Sequence, residues 1–179
     1  DNQDQLRKIT HYHPFRDLPL RNRWLKNKLV VASRTLLSIC GLRRRPQVLI
    51  NGVRRDIYFG SDYWAITLDC ARYVKKVLDT NPALVRYFRT TFVPSEMCIQ
   101  TIVYNSSFGT RAQLYKGSFP GLVRLTPLHY LYYKGSVKAL TMDDWKVIQE
   151  SGKMFCRKVV SNVSDSLMNT IDAERSSTK

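Results

Sequence analysis

The sequence predicts one folded domain that mixes helices with strands. Apolar residues recur at threes and fours over 22–40 and again over 68–79, the helical period. An Asn51-Gly52 dipeptide separates two strand-like runs, the signature of a tight hairpin. At 179 residues and 44% hydrophobic, the chain is long enough for a full core and too apolar for wholesale disorder.

Residues 1–28 read as an irregular basic entry segment carrying Pro14 and Pro19. Trp24, Leu25, Leu29, Ala32, Leu36, Leu37 and Cys40 then form the apolar stripe of a helix that Gly41 stops. QVLI and VRRDIYF form the hairpin strands. Thr67 is a suitable N-cap for a helix over 68–79, with Cys70, Ala71, Val74, Val77 and Leu78 on its buried face. Asn81-Pro82 ends that helix and opens the next, PALVRYFRT. Pro94 or Ser95 starts another helix, with Met97, Ile99, Ile102 and Val103 directed inward and Asn105-Ser106-Ser107 closing it. Residues 108–127 are rich in turn formers (Gly109, Gly117, Pro120, Gly121, Pro127), with short strands expected at LVRL and LHYLYY. Thr141 and Asp144 match a capping box for a helix over DDWKVIQES that Gly152 ends. KMFCRKVV follows as a basic segment, and residues 161–179 form a polar tail with at most one weak helix around Leu167–Ile171.

The net charge of +15 arises from 29 Lys and Arg against 14 Asp and Glu. It is uneven: residues 6–55 carry basic side chains throughout, including Arg43-Arg44-Arg45, before the hairpin's Asp56, with Asp17 the single acid among them. Such a field attracts polyanions, anionic lipid or phosphorylated substrates. No apolar run reaches the roughly 18 residues of a membrane span. Cys40, Cys70, Cys98 and Cys156 form no C-x-x-C pair and read as buried reduced thiols, favouring a cytoplasmic setting. His11 and His13, in HYH, are a metal pair in principle and a strand-edge or loop pair by preference. The chain starts at Asp1 and is read as part of a larger protein.

Glu96, just past Pro94, is one carboxylate in a basic chain. At a helix start it serves either as a cap or as a general base, and a cationic setting is expected to depress its pKa. Lys138, Arg157 and Lys158 flank the helix over 142–150 and are either solvated cations or donors to one phosphate.

Four blocks occur in one order: GSDYWAIT, FRTTFVPSEMCIQTIVYNS, LHYLYYKGSVKALTMDDW and ESGKMFCRKV. Together, over about residues 11–160, they resemble the C-terminal half of the core-2/I-branching β-1,6-N-acetylglucosaminyltransferase family, which includes the peptide xylosyltransferases, in its bacterial style. The resemblance implies an α/β glycosyltransferase A-type fold, a mixed sheet flanked by helices, of which this is the C-terminal part. It implies an inverting, metal-independent enzyme without a cofactor, using a UDP-sugar donor and a glycan acceptor. Glu96 falls at the family's catalytic base, and Lys158, Lys138 and Arg157 fall at the basic positions facing the donor diphosphate. Gly60, Ser61, Tyr63 and Trp64 match the segment that shapes the acceptor and sugar pocket, with Tyr132 and Tyr133 where many bacterial relatives have Asp-Trp. Val159-Val160 replaces the usual Phe-Asp after Lys158. The donor-binding half is expected to lie outside this chain, so the isolated piece is expected to be inactive or nearly so. N-acetylglucosamine is the expected sugar and xylose the nearest alternative.

Two other readings come from composition. The basic 6–55 region with Tyr12, Phe15 and Trp24 is that of a nucleic-acid-binding module, although it carries no known binding signature. The basic amphipathic 22–45 region suits peripheral attachment to the anionic inner face of a membrane, which is compatible with the transferase reading. The sequons at Asn105 and Asn162 are read as incidental in a bacterial-style chain.

Overall fold

The computed structural model describes residues 8–15, 19–115, 117, 121–126 and 128–177. Arg7, Arg16 and Asp17 of the basic segment, and Pro120 and Pro127 of the turn-rich stretch, lie outside the described residues. The chain divides into two units. The first comprises Asp1–Asp62 and Ile66–Phe119, and the second Tyr63–Ala65 and Pro120–Lys179.

In the first unit, helix α1 (Arg23–Ile39) is capped by Asn22, whose side-chain oxygen accepts from the N–H groups of Trp24 and Leu25 at 3.1 Å. Gly41, at φ 69°, closes it as expected. The expected core role of its stripe does not hold: α1 has no buried residue, and Trp24 and Ile39 are 64% and 78% exposed. The period fixes which face is apolar, but not whether anything covers it. Cys40 is likewise exposed, against the expectation of four buried thiols.

Strands β1 (Gln47–Ile50) and β2 (Val53–Asp56) form the expected antiparallel hairpin, with Asn51 and Gly52 both at positive φ. Helices α2 (Leu68–Thr80) and α3 (Pro82–Arg89) follow, with Thr67 capping α2 and Asn81 at the junction. Asn81 Oδ1 accepts from the Asn51 backbone N–H at 2.7 Å. Asn81 Nδ2 donates to Asn51 Oδ1 and the Val77 carbonyl. One side chain thus ties the hairpin turn to the end of α2. Beneath these elements lie Ile9, Val48, Ile50, Cys70, Val74, Val77, Leu84, Phe88, Met97, Ile102 and Val103. Each large aliphatic side chain there contributes roughly 1.5–3 kcal/mol by leaving water.

Arg44, one of the three consecutive arginines, is also buried, at 7% exposure. Its guanidinium donates to the carbonyls of Tyr87 and His11 and to the hydroxyls of Thr90 and Thr91, at 2.7–3.2 Å. It lies 5.0 Å from the Tyr12 ring centre and 4.4 Å from that of Tyr87. Burial lowers its pKa, but an arginine remains charged in a protein. This cation is a tie between chain segments and no part of the surface field.

The second unit holds helix α5 (Leu122–Leu125) and strands β3 (His129–Leu131), β4 (Tyr133–Lys134) and β5 (Ser136–Val137). After them come helix α6 (Trp145–Glu150), strand β6 (Phe155–Arg157) and helix α7 (Asp165–Ser177). LVRL is thus helical where a strand was expected, and FCR forms a strand, parallel to β3, that its composition had not announced. The tail's helix runs the full length of α7 and inserts Leu167, with 0% exposure, into the unit's interior. Helices and strands are mixed as expected. Among the described residues the strands form three two-stranded ladders, β1–β2, β3–β6 and β4–β5. No helix among the described residues is long and apolar enough to cross a membrane.

Candidate functional site

In the first unit the segment after β2 leaves its strand partner and runs along helix α4 (Cys98–Tyr104). Side chains and backbone of the 96–105 region take over its hydrogen bonds. Asn105 Nδ2 donates to the Asp56 carbonyl at 2.8 Å, and Thr101 Oγ1 accepts from the Tyr58 N–H at 3.1 Å. The Gly60 N–H donates to the Glu96 carbonyl at 2.9 Å. Gln100 Nε2 donates to the carbonyls of Ser61, at 2.7 Å, and Ser95, at 3.3 Å. Gln100 and Thr101 are buried; the Gln100 amide nitrogen and the Thr101 hydroxyl are retained by pairing, whereas Gln100 Oε1 has no hydrogen-bond partner among the described residues. A Cβ at position 60 would come within 3.1 Å of Gln100 Cγ, which is why the close approach suits glycine.

Glu96 does not occupy the first turn of an α-helix, as the sequence suggested. Val93 adopts a left-handed conformation (φ 56°, ψ 60°), and Pro94–Glu96 form a tight 3-10 turn. Met97 separates that turn from α4, and its side chain is completely buried beneath it. The carboxyl pKa is raised, not depressed. Burial is the main cause, Lys8 opposes it, and Asp62 adds to it. The folded state therefore holds this proton more tightly than the unfolded chain does. The stabilisation from the protonated carboxyl is full below the unfolded pKa and is lost as pH rises through the folded one.

In the second unit the segments around Lys138 and Lys158 run side by side. The Leu140 N–H donates to the Lys158 carbonyl at 2.8 Å, and the Lys158 N–H to that of Lys138 at 3.5 Å. Their side chains differ. Lys138 Nζ reaches both carboxylate oxygens of Asp144, at 2.8 and 2.9 Å, and lies 5.8 Å from the Tyr132 ring centre. Lys158 is exposed, with no acidic partner among the described residues. The Arg157 guanidinium lies 4.6 Å from the centre of the Tyr63 ring, which packs on His129, itself stacked on Phe155. Trp64, Tyr132 and Tyr133 are exposed. Glu96, Gly60 and Ser61 thus belong to the first unit, and Lys138, Arg157, Lys158, Tyr63, Trp64, Tyr132 and Tyr133 to the second.

No family model, curated protein or solved structure matches this chain.

Asp144 illustrates a role that the sequence showed only in part. Its carboxylate completes the capping box with Thr141 and also binds Lys138. Burial alone would raise its pKa, but the hydrogen bonds from Lys138 and Thr141 prevail and lower it. Its stabilisation is present above the unfolded value of about 3.9 and is lost as pH falls through the lowered folded one. Asp144→Asn should cost about 1–2 kcal/mol near neutral pH. In thermal melts the gap to wild type should close as the pH drops below about 4. A gap that is independent of pH would remove the carboxylate's charge from the account. Gln100 and Thr101 were not singled out from the sequence, although polar residues inside an apolar helix are a signal that could have found them, whereas Lys8 and Asp62 beside Glu96 carry no sequence signal. Among the described residues no three His, Cys, Asp or Glu side chains gather as a metal site.

Proposed function

We propose that the chain is part of an inverting, metal-independent glycosyltransferase that moves a sugar, N-acetylglucosamine in the first instance, from a UDP donor to a glycan hydroxyl. One observation carries the reading. GSDYW and PSEMCIQT, two blocks of the resemblance far apart in sequence, are joined through Gly60–Glu96 and Ser61–Gln100, with Glu96 held half-buried beside the junction. A base is most effective when its pKa lies nearer the working pH, and burial moves the Glu96 carboxyl in that direction.

In this reading the Glu96 carboxylate takes the proton of the acceptor hydroxyl as that oxygen bonds to the anomeric carbon. The bond from that carbon to the UDP oxygen breaks, and UDP departs with the electron pair. Lys158 and Arg157 are the cations assigned to the diphosphate, where they stabilise the growing charge. Lys138 is assigned a lesser share, because Asp144 already matches its charge. Gly60, Ser61, Tyr63 and Trp64, with Tyr132 and Tyr133, are assigned to the acceptor and sugar. The working protein is placed on the cytoplasmic side, with the exposed basic helix α1 available to an anionic membrane.

UDP release from several UDP-sugars, measured on the protein including the donor-binding half, tests the reading. Turnover should persist in EDTA. Lys158→Ala should weaken UDP binding roughly tenfold, the effect of losing one charge-assisted contact. Loss of turnover in EDTA would end the metal-independent account, and unchanged UDP affinity would end the assignment of Lys158. The nucleic-acid reading predicts binding that falls steeply with salt in a filter titration.

A further inference from the structure

The first unit contains a cleft of about 860 Å³ to which the transferase reading assigns no ligand. Its walls include Lys8, Arg34 and Arg43 and three hydroxyl side chains, Thr10, Thr35 and Ser38. His11 and His13 of the HYH motif also line it, as do Ile39 and Phe92, and among the described residues no acidic side chain does. Arg34 and Arg43 are exposed, with no acidic partner among the described residues, so their charge is available to a ligand. The contrast with Arg44 is instructive: of three consecutive arginines, Arg44 is consumed by the fold and Arg43 is delivered to the cleft.

We propose that this cleft binds a sugar carrying a phosphate ester. Each part of such a ligand has a counterpart in the walls. Guanidinium groups match phosphate oxygens with paired, charge-assisted donors. Threonine and serine hydroxyls exchange hydrogen bonds with sugar hydroxyls. The ring of Phe92 and the side chain of Ile39 offer apolar surface to a pyranose face. The volume falls in the range of small-molecule sites, about 300–1,000 Å³, which fits one or two sugar units better than a nucleic-acid strand. This inference goes beyond the transferase reading and does not depend on it, because its cations are not those assigned to the donor diphosphate.

Calorimetric titration with glucose 6-phosphate, glucose and phosphatidic acid vesicles tests the proposal. Glucose 6-phosphate should bind saturably, more weakly as salt screens the cations, and glucose should not bind. The double variant Arg34→Gln/Arg43→Gln should weaken binding at least about tenfold, since each guanidinium contributes a charge-assisted contact. The Arg34→Lys/Arg43→Lys pair, which keeps the charge, should retain most of the affinity. Lys158→Ala should leave it unchanged, which separates this site from the diphosphate cations. Lys8 is left intact because it also acts on Glu96. Absence of saturable glucose 6-phosphate binding, or binding that survives in the glutamine pair, overturns the proposal. Vesicle binding without glucose 6-phosphate binding also overturns it, because it would transfer these cations to a membrane surface.

Discussion

Glu96→Gln should reduce turnover by roughly two to four orders of magnitude, the usual contribution of a positioned general base. The substitution keeps the shape of the side chain and removes its ability to take a proton. The backbone contact from Gly60 to the position-96 carbonyl does not depend on the side chain, so the turn should survive. Donor affinity should also remain, since the cations assigned to the diphosphate lie elsewhere in the sequence. Because burial raises the Glu96 pKa, wild-type kcat/KM should fall on the acid side with an apparent pKa above the 4.5 of an ordinary glutamate. The sign is fixed: the base works only when ionised, so activity rises with pH through that value. Steady-state kinetics across pH, with circular dichroism as the folding control, make the measurement. Normal turnover in the Gln variant, or an acid limb at or below the ordinary value, would remove Glu96 from the base role.

Arg44→Ala should destabilise the first unit by about 3 kcal/mol, the combined loss of charge-assisted hydrogen bonds and of cation–π contacts. The His11 carbonyl would lose the Arg44 contact, and the packing between the Tyr12 and Tyr87 rings would lose its filler. At the melting point this corresponds to a drop of roughly 6–12 °C. Arg44→Lys should recover less than half, because one ammonium cannot reach acceptors on two sides. Arg43→Ala, at the exposed neighbour, should change stability by no more than about 0.5 kcal/mol. Melts of the three variants compare these directly, and equal effects at positions 43 and 44 would refute the buried-tie account.

These two residues show how differently local and non-local facts are encoded. The caps at Thr67 and Thr141, the Asn51-Gly52 turn, the α2–α3 break at Asn81-Pro82 and the stop at Gly152 were all legible. Each depends on the chemistry of a few adjacent residues. The strand at FCR was missed because β6 is defined by its partner β3, distant in sequence. Glu96 was legible as the unusual carboxylate, but its pKa was anticipated with the wrong sign. Counting nearby basic residues along the chain does not measure burial, and burial outweighs Lys8 at this carboxyl.

By itself, the sequence determined the mixture of helices and strands, most element boundaries, the basic character of the chain and the carboxylate most worth testing. These follow from short-range periodicity, capping and turn chemistry. Only the tertiary structure decided that α1 keeps its apolar stripe exposed, that Arg44 is buried while Arg43 lines a cleft, and that Lys138 is matched by Asp144. The physical reason is the same in each case. Burial and ion pairing are relations between segments brought together by folding, and their energies depend on distances that residue order does not specify.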